Sequence, residues 1–132
     1  MPDSGSFEIT IEDVGDDIRI VALTGDADRF RAEAVTRAVQ AARTESRAVV
    51  VDLAKTTFMD SSMLAALVAA SEQGRKRAER LVLVVKTPRL RRSLEVKGLN
   101  TILVVAGSRE QAVELLAGRG DASAGESVPE PA

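Results

Sequence analysis

Apolar positions follow three patterns along this chain, and each predicts a different element. Phe7, Ile9 and Ile11 alternate with polar residues, the period of a half-buried strand. Val14-Gly15-Asp16-Asp17 reads as a turn, and Ile18, Ile20, Val21, Ala22 and Leu23 make a second strand, so the two predict a hairpin. Ala48-Val49-Val50-Val51 and Leu81-Val82-Leu83-Val84-Val85 are unbroken apolar runs rich in β-branched residues. Runs this short predict strands buried on both faces of a parallel sheet.

Helical spacing appears in four places. Thr24 to Asp28 breaks the second strand, and Asp28 is placed to cap a helix from Arg29 to Arg43. Its apolar face is Phe30, Ala34, Val35, Ala38, Val39 and Ala42; Arg31, Glu33, Arg37, Gln40 and Arg43 take the other. A polar link from Asp52 to Thr57 leads through Phe58-Met59 to Asp60-Ser61-Ser62, after which Leu64, Leu67, Val68 and Ser71 mark a second helix. It ends in Glu72-Gln73-Gly74-Arg75-Lys76-Arg77, read either as a solvated terminus complementing the helix dipole or as a docking patch. Thr87-Pro88 opens a short third helix through Leu90, Leu94 and Val96, closed by Gly98. Thr101 to Val105 reads as a last strand, and Ser108 with Gln111 forms a capping box for a helix from Arg109 to Ala117.

The order of elements predicts an α/β domain: a mixed, mostly parallel sheet of about five strands with about four helices, joined by right-handed crossovers. Residues 1–6 read as a flexible N-terminus and 7–117 as the one domain. Residues 118–132, small, polar and proline-containing, read as a disordered tail. Arg119-Gly120-Asp121 within that tail spells an adhesion tripeptide, taken here as chance.

Composition narrows the function. The 132 residues contain no cysteine and no histidine, which removes disulfides, thiolate and imidazole metal sites, and Ser-His-Asp catalysis. A net charge of −2 with no Trp or Tyr offers neither a basic field nor a stacking platform for nucleic acid. No apolar stretch approaches the roughly 18 residues of a membrane span, and the start lacks a signal-peptide pattern, so the chain reads as soluble and cytoplasmic. No cofactor is expected.

Asp60-Ser61-Ser62 stands out because it sits where a strand hands over to a helix, at the carboxyl edge of the sheet. One reading is capping: a serine hydroxyl accepting a first-turn N–H contributes about 1 kcal/mol. Two hydroxyls and a carboxylate exceed what one cap requires. The other reading is a serine exposed for modification, its phosphate facing the positive end of the helix dipole.

At these residues the chain resembles the anti-sigma factor antagonists of the STAS-domain family. Leu23-Thr24-Gly25-Asp26-Ala27-Asp28 is similar to the family's strand-end segment, Val49 to Leu64 to its strand and Asp-Ser-Ser junction, and Leu81 to Leu99 to its next strand and short helix ending in Gly-Leu. The resemblance spans about Phe7 to Ala117. It implies a protein-binding switch and not an enzyme. The first serine of the junction, Ser61, would be phosphorylated by an anti-sigma factor with serine kinase activity. The unphosphorylated form would bind that anti-sigma factor and free a sigma factor, and a serine phosphatase would reset the switch. Asp28 corresponds to the family's acidic partner-binding residue, and Asp26, Asp60, Ser62 and Met63 would flank it at the partner surface. The family often has glycine where this chain has Met63, a side chain suited either to the core or to an adaptable contact.

Two other functions fit parts of the sequence. A STAS scaffold or subunit of a signalling or transport assembly would use the same fold, with Ser61 and Ser62 only capping. A phosphoacceptor enzyme could gather Asp26, Asp28, Asp52 and Asp60 around Mg²⁺, although Asp52 is also accounted for as a turn residue and no GxxxxGK[ST] phosphate loop is present. Monomer and homodimer are both open.

Overall fold

The computed structural model describes residues 7–27, 29–45, 48–76 and 80–118. Five strands, β1 (Phe7–Val14), β2 (Ile18–Ala27), β3 (Ala48–Met59), β4 (Arg80–Val84) and β5 (Val104–Ala106), form one sheet in the order β1-β2-β3-β4-β5. β1 and β2 pair antiparallel and the remaining neighbours pair parallel, as the hairpin and the later strand–helix alternation predict. Four α-helices connect or follow them: α1 (Arg29–Glu45), α2 (Ser61–Lys76), α3 (Pro88–Val96) and α4 (Arg109–Gly118).

Strands added in sequence order by right-handed crossovers put every crossover helix on one face. That face holds the larger core, where Val21, Leu23, Val49, Val51 and Leu83 of the sheet meet Val35 and Val39 of α1, Met63 and Leu67 of α2, and Leu90 and Leu94 of α3. On the other face α4 seats Ala112 and Leu116 against Ile18, Ile20, Val50, Val82 and Val84. Both faces of β3 and β4 are therefore covered, which is why those strands read as continuous apolar runs.

Several boundaries differ from expectation. β2 does not stop at Thr24 and β3 does not stop at Val51; both continue to the carboxyl edge. β3 carries one extra residue between the Ala22–Asp52 and Thr24–Lys55 pairs and another between the Gly25–Thr56 and Asp26–Phe58 pairs. These bulges keep the strand paired through a polar stretch that reads locally as a link. Two buried polar groups pin the irregular region: the Thr56 hydroxyl donates to the Leu23 carbonyl at 3.1 Å, and Ala54 N–H donates to Asp52 Oδ1 at 2.9 Å. Asp52 is thus a mid-strand residue and not the end of a strand.

The last strand is shorter than predicted. Gly98, at φ 71°, ends α3 and opens a 3₁₀ turn over Leu99–Thr101, so β5 begins only at Val104. In α1 Arg43 is buried, not solvent-facing, because its Nη1 reaches the Ala70 carbonyl of α2 at 3.1 Å. In α2 the core stripe is Met63, Leu64, Leu67 and Ala70, rotated away from the expected Val68 and Ser71. Thr87 precedes Pro88 as predicted, but its hydroxyl makes no capping bond. Ser108 does cap α4, accepting Gln111 N–H at 3.1 Å, while Gln111 Oε1 accepts from Gly107 N–H and not from Ser108.

Candidate functional site

The carboxyl ends of β2 and β3 finish together, with Asp26 opposite Phe58 and Ala27 opposite Met59. Gly25 makes this possible. Its φ of 103° lies where side chains are strained, and the register steps by one residue directly after it. Asp26 is exposed beyond that step, and its carbonyl accepts Arg31 Nη1 at 3.2 Å. The same guanidinium lies 5.1 Å from the ring centroid of Phe7, so α1 is tied to the hairpin at this corner. Asp28, and with it the predicted cap of α1, lies outside the described residues, as do the side chains of Phe30 and Phe58.

Asp60 carries the turn from β3 into α2. Its Oδ1 accepts Met63 N–H at 3.0 Å, and its carbonyl accepts Leu64 N–H at 3.1 Å. That is the side-chain bond of an N-cap together with the first backbone bond of the helix. The cap is therefore Asp60, and neither serine supplies it. Ser61 and Ser62 occupy the first two helical positions, both exposed, and among the described residues neither hydroxyl has a hydrogen-bond partner. The helix start thus presents two hydroxyls that its own stability does not require.

Met63 corrects an expectation. Its side chain is 0% exposed within the larger core, so it props the first turn of α2 from beneath and presents no surface to a partner. Beside Ser61 a shallow apolar groove runs along α2, lined by Leu64, Ala65, Val68 and Ala69 and by Lys97 and Leu99.

Asp52 does not belong with Asp26 and Asp60 in a four-carboxylate cation site. Asp52 precedes Asp60 by eight residues in a continuous strand, a separation on the order of 20 Å or more. Its Oδ2 accepts Arg109 Nε at 2.5 Å, and Arg109 Nη1 reaches Glu12 at 2.9 Å. This clamp joins β3, α4 and β1. Hydrogen bonding to Asp52 pushes the Arg109 guanidinium above its ordinary value, opposed by burial and aided by Glu12. Nothing local in the sequence signals a pair whose members are 57 residues apart. Among the described residues no three carboxylates gather as a metal site.

The family model described as "Mlab, STAS domain" matches residues 12–105, most of the sheet and its covering helices. The chain belongs to the STAS-domain family. Among solved structures, an anti-sigma factor antagonist from Mycobacterium paratuberculosis superimposes with a TM-score of 0.74 at 26% identity, over 82% of this chain and 92% of that one. The phosphorylated form of the Bacillus cell fate determinant SpoIIAA shares the fold at a TM-score of 0.64 and 20% identity, covering 81% of this STAS domain chain and 97% of its own. An anti-sigma factor antagonist of Thermotoga maritima does so at 0.73 and 17% identity, with 80% and 92% covered. At such identities the last two speak to the fold alone. Among the described residues no helix is long and apolar enough to cross a membrane.

Proposed function

We propose that this STAS domain is an anti-sigma factor antagonist that works as a phosphoswitch at Ser61. The observation that carries the reading is the division of labour at the start of α2. Asp60 caps the helix, leaving Ser61 exposed and, among the described residues, without a partner, at the positive end of the dipole. In the unphosphorylated state the edge formed by Asp26, Asp60, Ser61 and Ser62, together with Asp28 two residues on from Asp26 in the sequence, binds an anti-sigma factor with serine kinase activity, and a sigma factor is released. Phosphorylation adds about −1.5 to −2 charges at Ser61. A partner packed over that position would have to bury the new dianion beside the exposed Asp26 carboxylate, so the complex separates while the domain stays folded. A serine phosphatase restores the binding form. The setting is cytoplasmic, and no direct contact with nucleic acid is needed.

The test is chemical. Candidate anti-sigma kinases from the same cell are incubated with the protein, ATP and Mg²⁺, and the product is mapped by mass spectrometry. Phosphate on Ser61 alone, abolished in Ser61→Ala and retained in Ser62→Ala, is the expected result. An unmodified chain that still binds the kinase would leave a scaffold that uses the same edge without a switch.

A further inference from the structure

The outer face of α3 is built against the helix's own interest. Arg89, Arg91 and Arg92 crowd its first turns, where the helix dipole favours anions, and the first turn holds no acidic residue. The N-cap residue Thr87 makes no side-chain bond to offset this. All three arginines are exposed, and among the described residues none has an ion-pair or hydrogen-bond partner through its side chain. Arg89 and Arg92 share one stripe with Val96, which is 78% exposed, the largest exposure among the described large hydrophobic side chains. A merely solvated charged face has no need of either feature: repelling cations at the wrong helix end, or an aliphatic side chain held in water among them.

We infer that this face of α3 is a docking surface for an acidic polypeptide segment that carries an aliphatic side chain to cover Val96. Charge placement in the molecule supports an acidic partner. Glu8, Asp16 and Asp17 are exposed along β1 and its turn, at the far edge of the sheet from the β4–β5 connection that holds α3, while Glu12 and Asp13 there are paired with Arg109 and Arg19. The domain is thus polarised, and an acidic surface is steered to the α3 side. A lipid surface fits less well, because Leu90 and Leu94 face the core and leave only Val96 to insert. Nucleic acid fits less well, because Glu95 stands exposed among the arginines and the helix has no aromatic side chain for stacking. Lys97, which follows Val96, lines the groove beside Ser61, but Arg89, Arg92 and Val96 do not, and the inference does not depend on the phosphoswitch.

The test is an amide NMR titration of the full chain at low ionic strength with the peptide acetyl-Glu-Glu-Leu-Glu-Glu-amide. Shifts concentrated in residues 88–98 are expected, weakening as salt is raised. The double variant Arg89→Glu/Arg92→Glu should bind ~tenfold or more weakly and melt no lower than wild type, because the reversed charges suit the dipole. Val96→Asp should also weaken binding. Absent shifts, shifts spread over cations elsewhere, or unchanged binding by the double variant would overturn the inference. So would a stronger response, at equal charge, to an oligothymidylate or to phosphatidylglycerol vesicles.

Discussion

Arg109→Met strands a carboxylate in the second core. The Asp52 side chain is 9% exposed and holds two bonds, one to Arg109 Nε at 2.5 Å and one to Ala54 N–H at 2.9 Å. Methionine keeps most of the volume of the arginine stem, so the change isolates the lost charge from lost packing. Breaking a fully buried pair costs about 3–5 kcal/mol, because the remaining charge is left uncompensated. Arg109 is 36% exposed, so water reaches part of the carboxylate once the guanidinium is gone, and the expected loss falls to about 2–3 kcal/mol. For a domain of this size that corresponds to a melting temperature lower by roughly 10 °C. Urea unfolding followed by circular dichroism should show a lower midpoint at unchanged slope. Glu12→Gln removes the outer partner, 55% exposed, and should cost no more than about 0.5 kcal/mol. The folded pKa of Arg109 is raised, so its contribution is complete below the ordinary arginine value and lost only as pH rises through the folded one; the difference between wild type and Arg109→Met should stay constant across neutral pH. A loss below about 0.5 kcal/mol, or one equal to that of Glu12→Gln, would refute the clamp.

Asp60→Ala removes the N-cap of α2 and should destabilise the domain by about 1 kcal/mol in the same assay, whereas Ser61→Ala and Ser62→Ala should be near neutral. Met63→Ala leaves a cavity under the first turn of α2 and should cost about 2–5 kcal/mol, with partner affinity changed only as far as the folded fraction changes. Asp13 is held below its ordinary 3.8 chiefly by its hydrogen bonds with Arg19 at 2.6 and 3.1 Å. A depressed carboxyl pKa adds stability above 3.8 that is lost as pH falls through the folded value, so Asp13→Asn should flatten that part of the acid unfolding curve; an unchanged curve would exclude the pair.

The fold was legible wherever periodicity is decided by burial. The apolar runs at Val49–Val51 and Leu81–Val84 lie inside the sheet because helices cover both faces there, and the alternation in β1 is matched by burial through Ile9 but not at Ile11, which is 48% exposed on this edge strand. What local pattern could not convey are features made by distant partners. Arg43 looks like a polar-face residue until the Ala70 carbonyl of another helix comes within reach. Asp52 looks like a turn until Arg109 and the bulge supply its bonds. At the site, the junction was legible as a whole, but its roles were not. Three adjacent residues could each cap, and only the chain direction out of β3 selects Asp60. Met63 was open between core and contact because a helix's first turn lies half in the core, and its position three residues after the cap turns it inward.

In the proposed phosphoswitch, charge at Ser61 decides partner binding. The most direct measurement is calorimetric titration of one cognate anti-sigma factor with three forms of the protein: wild type, Ser61→Asp, and the form phosphorylated at Ser61. Tight binding by wild type, weaker binding by Ser61→Asp and the weakest by the phosphoprotein are expected, with all three equally folded by circular dichroism. Equal affinity for all three would contradict the switch and leave the Ser61 edge as a static docking surface.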